Sequence, residues 1–570
     1  MKMTGAQAVL ECLRREGVEV VFGYPGGAVL SLYDEVYKQK FPHILTGHEQ
    51  GAVHAADGYA RVTGKPGVCF ATSGPGICNM VTGLATANMD SIPLVVISGQ
   101  VASHLIGRDS FQEADTCAVT KPITKRNILV THVEDLPRIM KKAFSLARDG
   151  RPGPVLIDIA KDVFDASLDF SYPDAERPAA CRESSDTGVD AGIARAAQAV
   201  AQAERPVVLA GGGVILSDSS ECLNRLVQAL HIPVVTTLMG KGAVPDRSAM
   251  HLGMVGMHGS YAANKAVMNC DLLLCFGARF DDRVTGEVSR FAPHARIVHF
   301  DIDKKEINKI IHADIGVQGD LRCSLPLFEK ELAAHGLFQK DRYGKWRETT
   351  AAWKAVYPFR SRSIPGAISP QRLFEEVQKW TDEDTIVATD VGQHQMWAAQ
   401  FFDTAKPRHF VTSGGLGTMG YGLPAAMGAK IGVPQSKVVL FTGDGSVLMN
   451  CQEFVTLHKY GVEVKTIVLC NRVLGMVNQW QRLFYHGHYA ESVLEDGPDL
   501  AAISSSMGVP GFAVQRPEDL PAAVKRLFET EGPALLNVWI PKDEDVYPMV
   551  PGGKSLDDML LGPDTQTAKK

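Results

Sequence analysis

Short, largely apolar runs separated by helical stretches recur along the whole 570-residue chain. They fall at residues 18–22, 67–72 and 93–98, then at 206–210, 233–236, 271–276 and 296–300, and again at 438–442 and 465–470. A strand with one face in water alternates apolar and polar positions. A strand that is apolar throughout is covered on both faces, as in parallel sheets flanked by helices. Between the runs, Thr4 is placed to cap a helix ending near Arg15, because its hydroxyl can accept from a free first-turn amide. Residues 52–63 read as a helix of mostly small side chains, and residues 24–27 as a proline–glycine loop.

Two breaks divide the pattern. Residues 165–189 are polar and contain proline, residues 340–368 are rich in Arg, Lys, Trp and Tyr, and both read as linkers. Three α/β blocks remain, 1–165, 190–340 and 368–545, each expected to form a doubly wound parallel-sheet domain. The tail, 546–570, holds Pro548, Pro551, Gly552 and Gly553 and is expected to have no strand or helix core. No internal repeat is visible, although the first and third blocks can share a fold without one.

Composition narrows the class. The chain is 45% hydrophobic and 21% charged, an ordinary globular balance. A net charge of −6 without a basic block leaves no electrostatic footprint for nucleic acid. No apolar stretch reaches the roughly 18 residues of a membrane helix, and the first residues lack the apolar run of a signal peptide. The eleven cysteines include no C-x-x-C pair and mostly sit in apolar runs, which reads as buried thiols rather than disulfides or zinc ligands. A cytoplasmic enzyme is expected.

Chemistry concentrates at strand ends. Gly443-Asp444-Gly445-Ser446 closes one apolar run, and Asn471 follows the next after 25 residues. In a parallel sheet both ends emerge on the edge where α/β proteins place ligands. A carboxylate, an amide oxygen and glycine-exposed backbone suit Mg²⁺ carrying a diphosphate. Asp-Gly alone is usually a turn; this spacing resembles the thiamine diphosphate (ThDP) signature. Glu49, before a small-residue helix, reads by itself as a dipole partner. Gly211-Gly212-Gly213 after a strand reads on spacing alone as a turn. The run Arg279-Phe-Asp-Asp-Arg283 is equally a self-neutralising ion cluster or a cation for a ketoacid carboxylate, which Arg can grip bidentately. Trp480 on general grounds is core.

Order and context change these readings. Tyr24-Pro25-Gly26-Gly27-Ala28, His48-Glu49-Gln50, Thr72-Ser-Gly-Pro-Gly76 and the Gly-Asp-Gly segment follow one another as in ThDP enzymes of the pyruvate oxidase and acetohydroxyacid synthase group. Gly99-Gln-Val, Asp109-Ser-Phe111-Gln112-Glu113, Gly150-Arg151-Pro-Gly-Pro154, Gly256-Met257-His258-Gly259, Arg279 to Gly286, Gly415 to Gly420 and Gly475-Met476-Val-Asn-Gln-Trp480 resemble the acetohydroxyacid synthase (acetolactate synthase) catalytic subunit over about residues 1–550.

The resemblance implies three cofactors: ThDP, Mg²⁺ and FAD. Glu49 becomes the partner of the pyrimidine N1′, with Tyr24, Pro25, Gly26, Gly27 and Thr72 beside the same cofactor. Asp444, Asn471 and the Val473 carbonyl become the Mg²⁺ ligands. Val391, Gly392, Gln393, His394, Gly417, Met419, Gly445, Ser446, Gly475 and Met476 surround ThDP, Met419 suiting its bend as an adaptable apolar side chain. For FAD the matching positions are Arg151, Gly211, Gly212, Gly213, Thr237, Leu238, Met257 and His258. Gly277, Arg279, Asp281, Arg283, Asp301, Ile302 and Asp320 complete that set.

The implied reaction decarboxylates pyruvate and joins the two-carbon unit to a second pyruvate or to 2-oxobutyrate, the first common step of valine, leucine and isoleucine biosynthesis. Arg283 then binds the second ketoacid, Trp480 shapes the acceptor pocket in favour of 2-oxobutyrate, and Met476 belongs to the same segment. Phe111, Gln112 and Lys161 line the cavity from the first block. Glu49 and Asp444 serve one cofactor across a dimer interface, so a homodimer or larger assembly is implied, together with a regulatory small subunit. Two positions depart from many relatives: Ala102 replaces proline, and Cys470 replaces a first asparagine.

Overall fold

Most of the apolar runs become strands buried on both faces. The run at 18–22 does so only from Val21, the strand being Val21–Gly23, because Glu19 is exposed and Val18 and Val20 are half-buried. Leu94–Gln100, Leu272–Phe276 and Lys465–Cys470 are buried at every position, as a helix-covered parallel sheet requires. They belong to a computed structural model that describes residues 1–173, 187–339, 341–362 and 364–562. Three six-stranded sheets form among the described residues, and neighbouring strands in all three run parallel.

Strand order explains where ligands can sit. With strands numbered in chain order inside each sheet, the first and third sheets both run 2-1-3-4-6-5, and the central sheet runs 3-2-1-4-5-6. The outer domains thus share one topology without a visible sequence repeat. In each sheet the winding reverses beside strand 1, and the loops leaving the two strands there diverge and open a crevice. All three crevices coincide with glycine-bearing segments singled out in the sequence.

The first and third domains are joined through two helices, Glu49–Thr63 and Gly422–Gly432. Both are almost wholly buried. A methyl at Gly58 would strike the backbone of Ala425, and one at Gly428 the backbone of Ala55, so the small residues of both helices permit a backbone-to-backbone crossing. Thr4 caps Gly5–Arg15 as expected, in a capping box with Gln7.

Several expectations give way. The first linker contains the strand Ser167–Asp169, paired antiparallel with Lys2–Thr4; its residues 174–186 lie outside the described residues. The second linker contains the helix Gly344–Val356, docked by its aromatic side chains. Trp346 is buried, donates from Nε1 to the Pro206 carbonyl at 3.0 Å and meets Trp353 edge-on. The described tail residues form no strand or α-helix, yet they are packed through residue 562. Met549 bridges Leu560, Val550 N–H donates to the Met257 carbonyl at 2.8 Å, and Val546, Met549, Val550 and Leu556 are buried. Nine described cysteines are free, whereas Cys323 is disulfide-bonded, so the reading of thiols throughout does not hold. Among the described residues no helix is long and apolar enough to cross a membrane.

Candidate functional site

In the third sheet, Ile386–Thr389 and Val438–Gly443 lie side by side at the winding reversal. Their ends, Val391-Gly392 and Gly443–Ser446, enclose a cavity of about 70 Å³ with Gln393, His394, Met419, Asn471 and the Val473–Met476 segment. A Cβ at Gly443 would fall 2.9 Å from His394 Nδ1, and one at Gly445 2.9 Å from Leu474 Cδ2, so both glycines are required by close neighbours. Asp444 Oδ1 accepts from Gly445 N–H at 3.0 Å, and Oδ2 accepts from Arg472 N–H at 2.7 Å and from the Cys470 thiol at 3.5 Å. Burial raises the Asp444 pKa above the usual carboxylate value against the pull of those hydrogen bonds. A divalent cation would favour its charged form. Asn471 Nδ2 donates to Gln393 Oε1 at 3.0 Å, and Asn471 Oδ1 accepts from Val473 N–H at 3.2 Å. Burial holds His394 near 3, hence neutral, and its Nε2 has no partner within the chain. A carboxylate, an amide oxygen and peptide carbonyls form a hard donor set. The described residues hold no cluster of three or more His, Cys, Asp or Glu fit for a softer metal. The cradle therefore fits a Mg²⁺-diphosphate.

At the reversal of the central sheet, Gly211 N–H donates to the Phe276 carbonyl and Gly213 N–H to the Gly277 carbonyl. A Cβ at Gly213 would lie 2.7 Å from the Gly277 Cα. This backbone contact opens onto a cavity of about 800 Å³, the size of cofactor sites. Gly212, Gly213, Thr237, Leu238, Met257 and His258 line it, as do Gly277, Arg279, Asp281, Arg283, Asp301, Ile302 and Asp320. Gly211 lines neither this cavity nor the smaller one. Arg151 enters from the first domain, pairing with Glu306 at 2.8 Å. Asp281 and Asp320 also cap the helices Asp282–Thr285 and Leu321–Ala334, so each has a local role besides any ligand. The glycine crossing, the size and the arginines Arg148 and Arg151 inserted from the first domain fit a dinucleotide such as FAD.

The two cavities share Val391, Gly392, Met419 and Met476. Gly417 borders the larger one, as do Arg283 and Trp480, with the guanidinium 5.8 Å from the ring centroid. Trp480 Nε1 is buried without a partner.

A third group stands apart. Tyr24, Pro25, Gly26, Gly27, Glu49, Thr72, Phe111, Gln112 and Lys161 line neither cavity. They gather at the carboxyl edge of the first sheet, around the reversal between Val21–Gly23 and Gly67–Ala71. A Cβ at Gly26 would lie 2.5 Å from Thr72 Cβ, and Ala28 N–H donates to Thr72 Oγ1 at 3.3 Å. Glu49 is buried and its Oε2 accepts from Asn79 Nδ2 at 3.0 Å. Gln112 packs its backbone on Gly74, while Phe111 is 88% exposed. Lys161 follows the strand Pro154–Ala160 and is exposed.

Sequence reasoning missed Asp390. Its carboxylate accepts from Val391, Gly420 and Gly422 N–H at 2.8, 2.9 and 3.0 Å, tying together the walls that carry Val391 and Met419. Burial pushes it up to about 6. The available signal was position: Asp390 ends its strand where Asp444 ends the neighbouring one.

Two domains of one topology, one presenting a carboxylate and the other a diphosphate cradle, define a thiamine pyrophosphate enzyme. Residues 3–119, 193–327 and 390–538 match the thiamine pyrophosphate enzyme family models for the N-terminal TPP binding domain, the central domain and the C-terminal TPP binding domain. Within that class the chain belongs to the acetolactate synthase family. It is 45% identical over 558 residues to the acetolactate synthase isozyme 2 large subunit of Escherichia coli (strain K12), covering 98% of this chain and 99% of that one. It is also 46% identical over 568 residues to the acetolactate synthase large subunit of Parasynechococcus marenigrum, covering 98% and 91%. The probable acetolactate synthase large subunit of Methanocaldococcus jannaschii is 45% identical over 572 residues, covering 98% and 95%.

Proposed function

We propose that this chain catalyses the acetolactate synthase reaction with ThDP, Mg²⁺ and FAD, forming 2-acetolactate from two pyruvates and 2-aceto-2-hydroxybutyrate from pyruvate and 2-oxobutyrate. The observation that carries the choice of acceptor chemistry is the meeting of Arg283 and Trp480 beside the wall shared by the two cavities. Bound ThDP supplies the nucleophilic carbon and the electron sink for decarboxylation.

The chain does the rest. Asp444, Asn471 and the Val473 carbonyl hold the metal, and the backbone of Gly443–Ser446 lies close enough to meet the diphosphate. Glu49 is the carboxylate that holds a proton at the pyrimidine ring, kept in place by Asn79. Arg283 grips the acceptor's carboxylate with paired N–H donors. Trp480 and Met476 offer its alkyl group an apolar wall, where excluding water prevents loss of the two-carbon unit as acetaldehyde. Phe111, Gln112 and Lys161 close the same space.

Because Glu49 and its neighbours line neither cavity of their own chain, we assign them to the cradle of a second copy, which makes a homodimer the smallest active unit. Relatives named as large subunits support a regulatory small subunit as a further partner. The acidic chain without a basic block supports a cytoplasmic enzyme with no nucleic-acid or membrane partner. The decisive experiment is product analysis with ThDP, Mg²⁺ and FAD, given pyruvate alone and then pyruvate with 2-oxobutyrate. Both hydroxyacids are expected; flavin reduction at a turnover rate without them would point to an oxidase.

A further inference from the structure

We propose that Asp90 is a positioning residue that couples occupancy of the large flavin-type cavity to ThDP binding in the small one. The inference rests on the two cofactor assignments above and adds to them a link between the sites.

Asp90 is the last residue of the helix Val81–Asp90, and its side chain is fully buried. A carboxylate at a helix C-terminus faces the negative end of the dipole, so its retention there calls for compensation. Three donors supply it. Arg61 Nη2 lies 2.7 Å from Oδ2, Gly414 N–H 3.1 Å from Oδ2 and Gly415 N–H 2.6 Å from Oδ1. Arg61 belongs to the helix that begins with Glu49, and Asp90, Gly414 and Gly415 all border the large cavity.

The segment from Gly414 to Tyr421 is therefore pinned from the first domain at four places. Besides the two glycines, Thr418 Oγ1 lies 2.7 Å from Thr86 Oγ1, and Tyr421 donates to Asp57, the second partner of Arg61. Between the pins lie Gly417, with φ of +69°, and Met419, which lines both cavities. A Cβ at Gly415 would fall 2.8 Å from Asp90 Oδ1 and 3.0 Å from Arg279 Nη2, so this backbone has no room to move independently of Asp90. A ligand that presses on the Gly414–Gly417 wall thus acts on the same short segment that sets Met419. Ligands that favour one arrangement of a shared element raise each other's affinity by a common factor.

The test uses the full-length protein with Mg²⁺. The ThDP dissociation constant is measured by tryptophan quenching without FAD and with saturating FAD, and the FAD constant by flavin fluorescence without and with ThDP. In the wild type both constants are expected to fall by the same factor, at least about fivefold. In Asp90→Asn both ratios should fall to within about twofold of unity, with the melting curve still cooperative. Should that variant fail to fold, Thr86→Val loosens a second pin without unpairing a charge and should also lower the ratio. A wild-type ratio of one, with both cofactors bound, overturns the coupling and leaves the cofactor assignments standing. Unchanged ratios in both variants overturn the role of Asp90. A wild type that binds no flavin overturns the cofactor assignment itself, and the coupling with it.

Discussion

The guanidinium of Arg283 stands 5.8 Å from the centre of the Trp480 ring, although the two belong to different domains. Arg283 comes from the short helix Asp282–Thr285 beside the large cavity, and Trp480 from Gly475–Phe484, which starts at the small one. A cation over an indole is attracted to the ring face, so the two hold each other at the cavity edge. That places a carboxylate anchor and an apolar surface side by side, as a 2-ketoacid with a variable alkyl group needs. Pyruvate and 2-oxobutyrate differ by one methylene, which a pocket distinguishes by about 10- to 200-fold. Trp480→Leu should retain condensation of two pyruvates and bring the product ratio in a mixed-substrate assay toward the substrate ratio. Arg283→Gln should lower kcat/KM for condensation by about 30-fold or more. A Trp480→Leu product ratio equal to wild type would remove that residue from the acceptor site.

Glu49 and Asp444 give a sharper test, because they sit in separate clusters of one chain. Glu49→Gln and Asp444→Asn should each lower acetolactate formation by at least about 100-fold. Mixed and allowed to reassociate in equal amounts, the two inactive proteins should recover about a quarter of wild-type activity, since half the dimers then hold one intact site of two. No recovery, with subunit exchange shown by tagged copies, would mean that each site is built within one chain.

Most central strands were legible because burial on both faces leaves largely apolar runs; Pro206–Ala210 and Lys465–Cys470 have the bounds read from sequence, whereas Val21–Gly23 was read too early, at 18–22. Edge strands were not. His251–Met254 and Ile315–Gln318 are interrupted by exposed or half-buried positions, which blurs their pattern. Gly344–Val356 was hidden because two tryptophans among charged residues look like a linker until Pro206 supplies the acceptor for one of them. The site's chemistry was carried by motifs at strand ends, yet no motif separates the Glu49 cluster from the Asp444 cradle. That separation comes from how two domains of one topology pack. Asp90 and Asp390 escaped for a related reason: each ties down backbone amides distant in sequence, Gly414 and Gly415 for one and Gly420 and Gly422 for the other, and an isolated aspartate gives no sign of them.

The crossing of Glu49–Thr63 and Gly422–Gly432 depends on the absence of side chains at Gly58 and Gly428. Gly428→Ala would drive a methyl into the Ala55 backbone, and overpacking of this kind costs about 1–3 kcal/mol. A gain from the better helix propensity of alanine, about 1 kcal/mol, offsets only part of it. Urea unfolding should show the loss as a lower midpoint. A variant as stable as wild type would show that the helices can slide apart.

Glu453 supplies a pH dependence that can be isolated. Its carboxylate is fully buried and accepts from Gly47 N–H at 3.0 and 3.1 Å and from Thr456 Oγ1 at 2.7 Å. Burial raises its pKa from 4.5 to about 7 despite those donors. A folded-state value above the unfolded one means that the native protein holds the proton more tightly. The stabilisation from this group is therefore complete below pH 4.5 and is lost as pH rises through 7, a change of about 3 kcal/mol. Glu453→Gln keeps an acceptor for Gly47 and has no proton to lose. The difference in melting temperature, variant minus wild type, should then climb between pH 5 and pH 8, while contributions from other titrating groups cancel. A flat difference over that range would mean that Glu453 is already ionised at pH 5, and that its hydrogen bonds outweigh its burial.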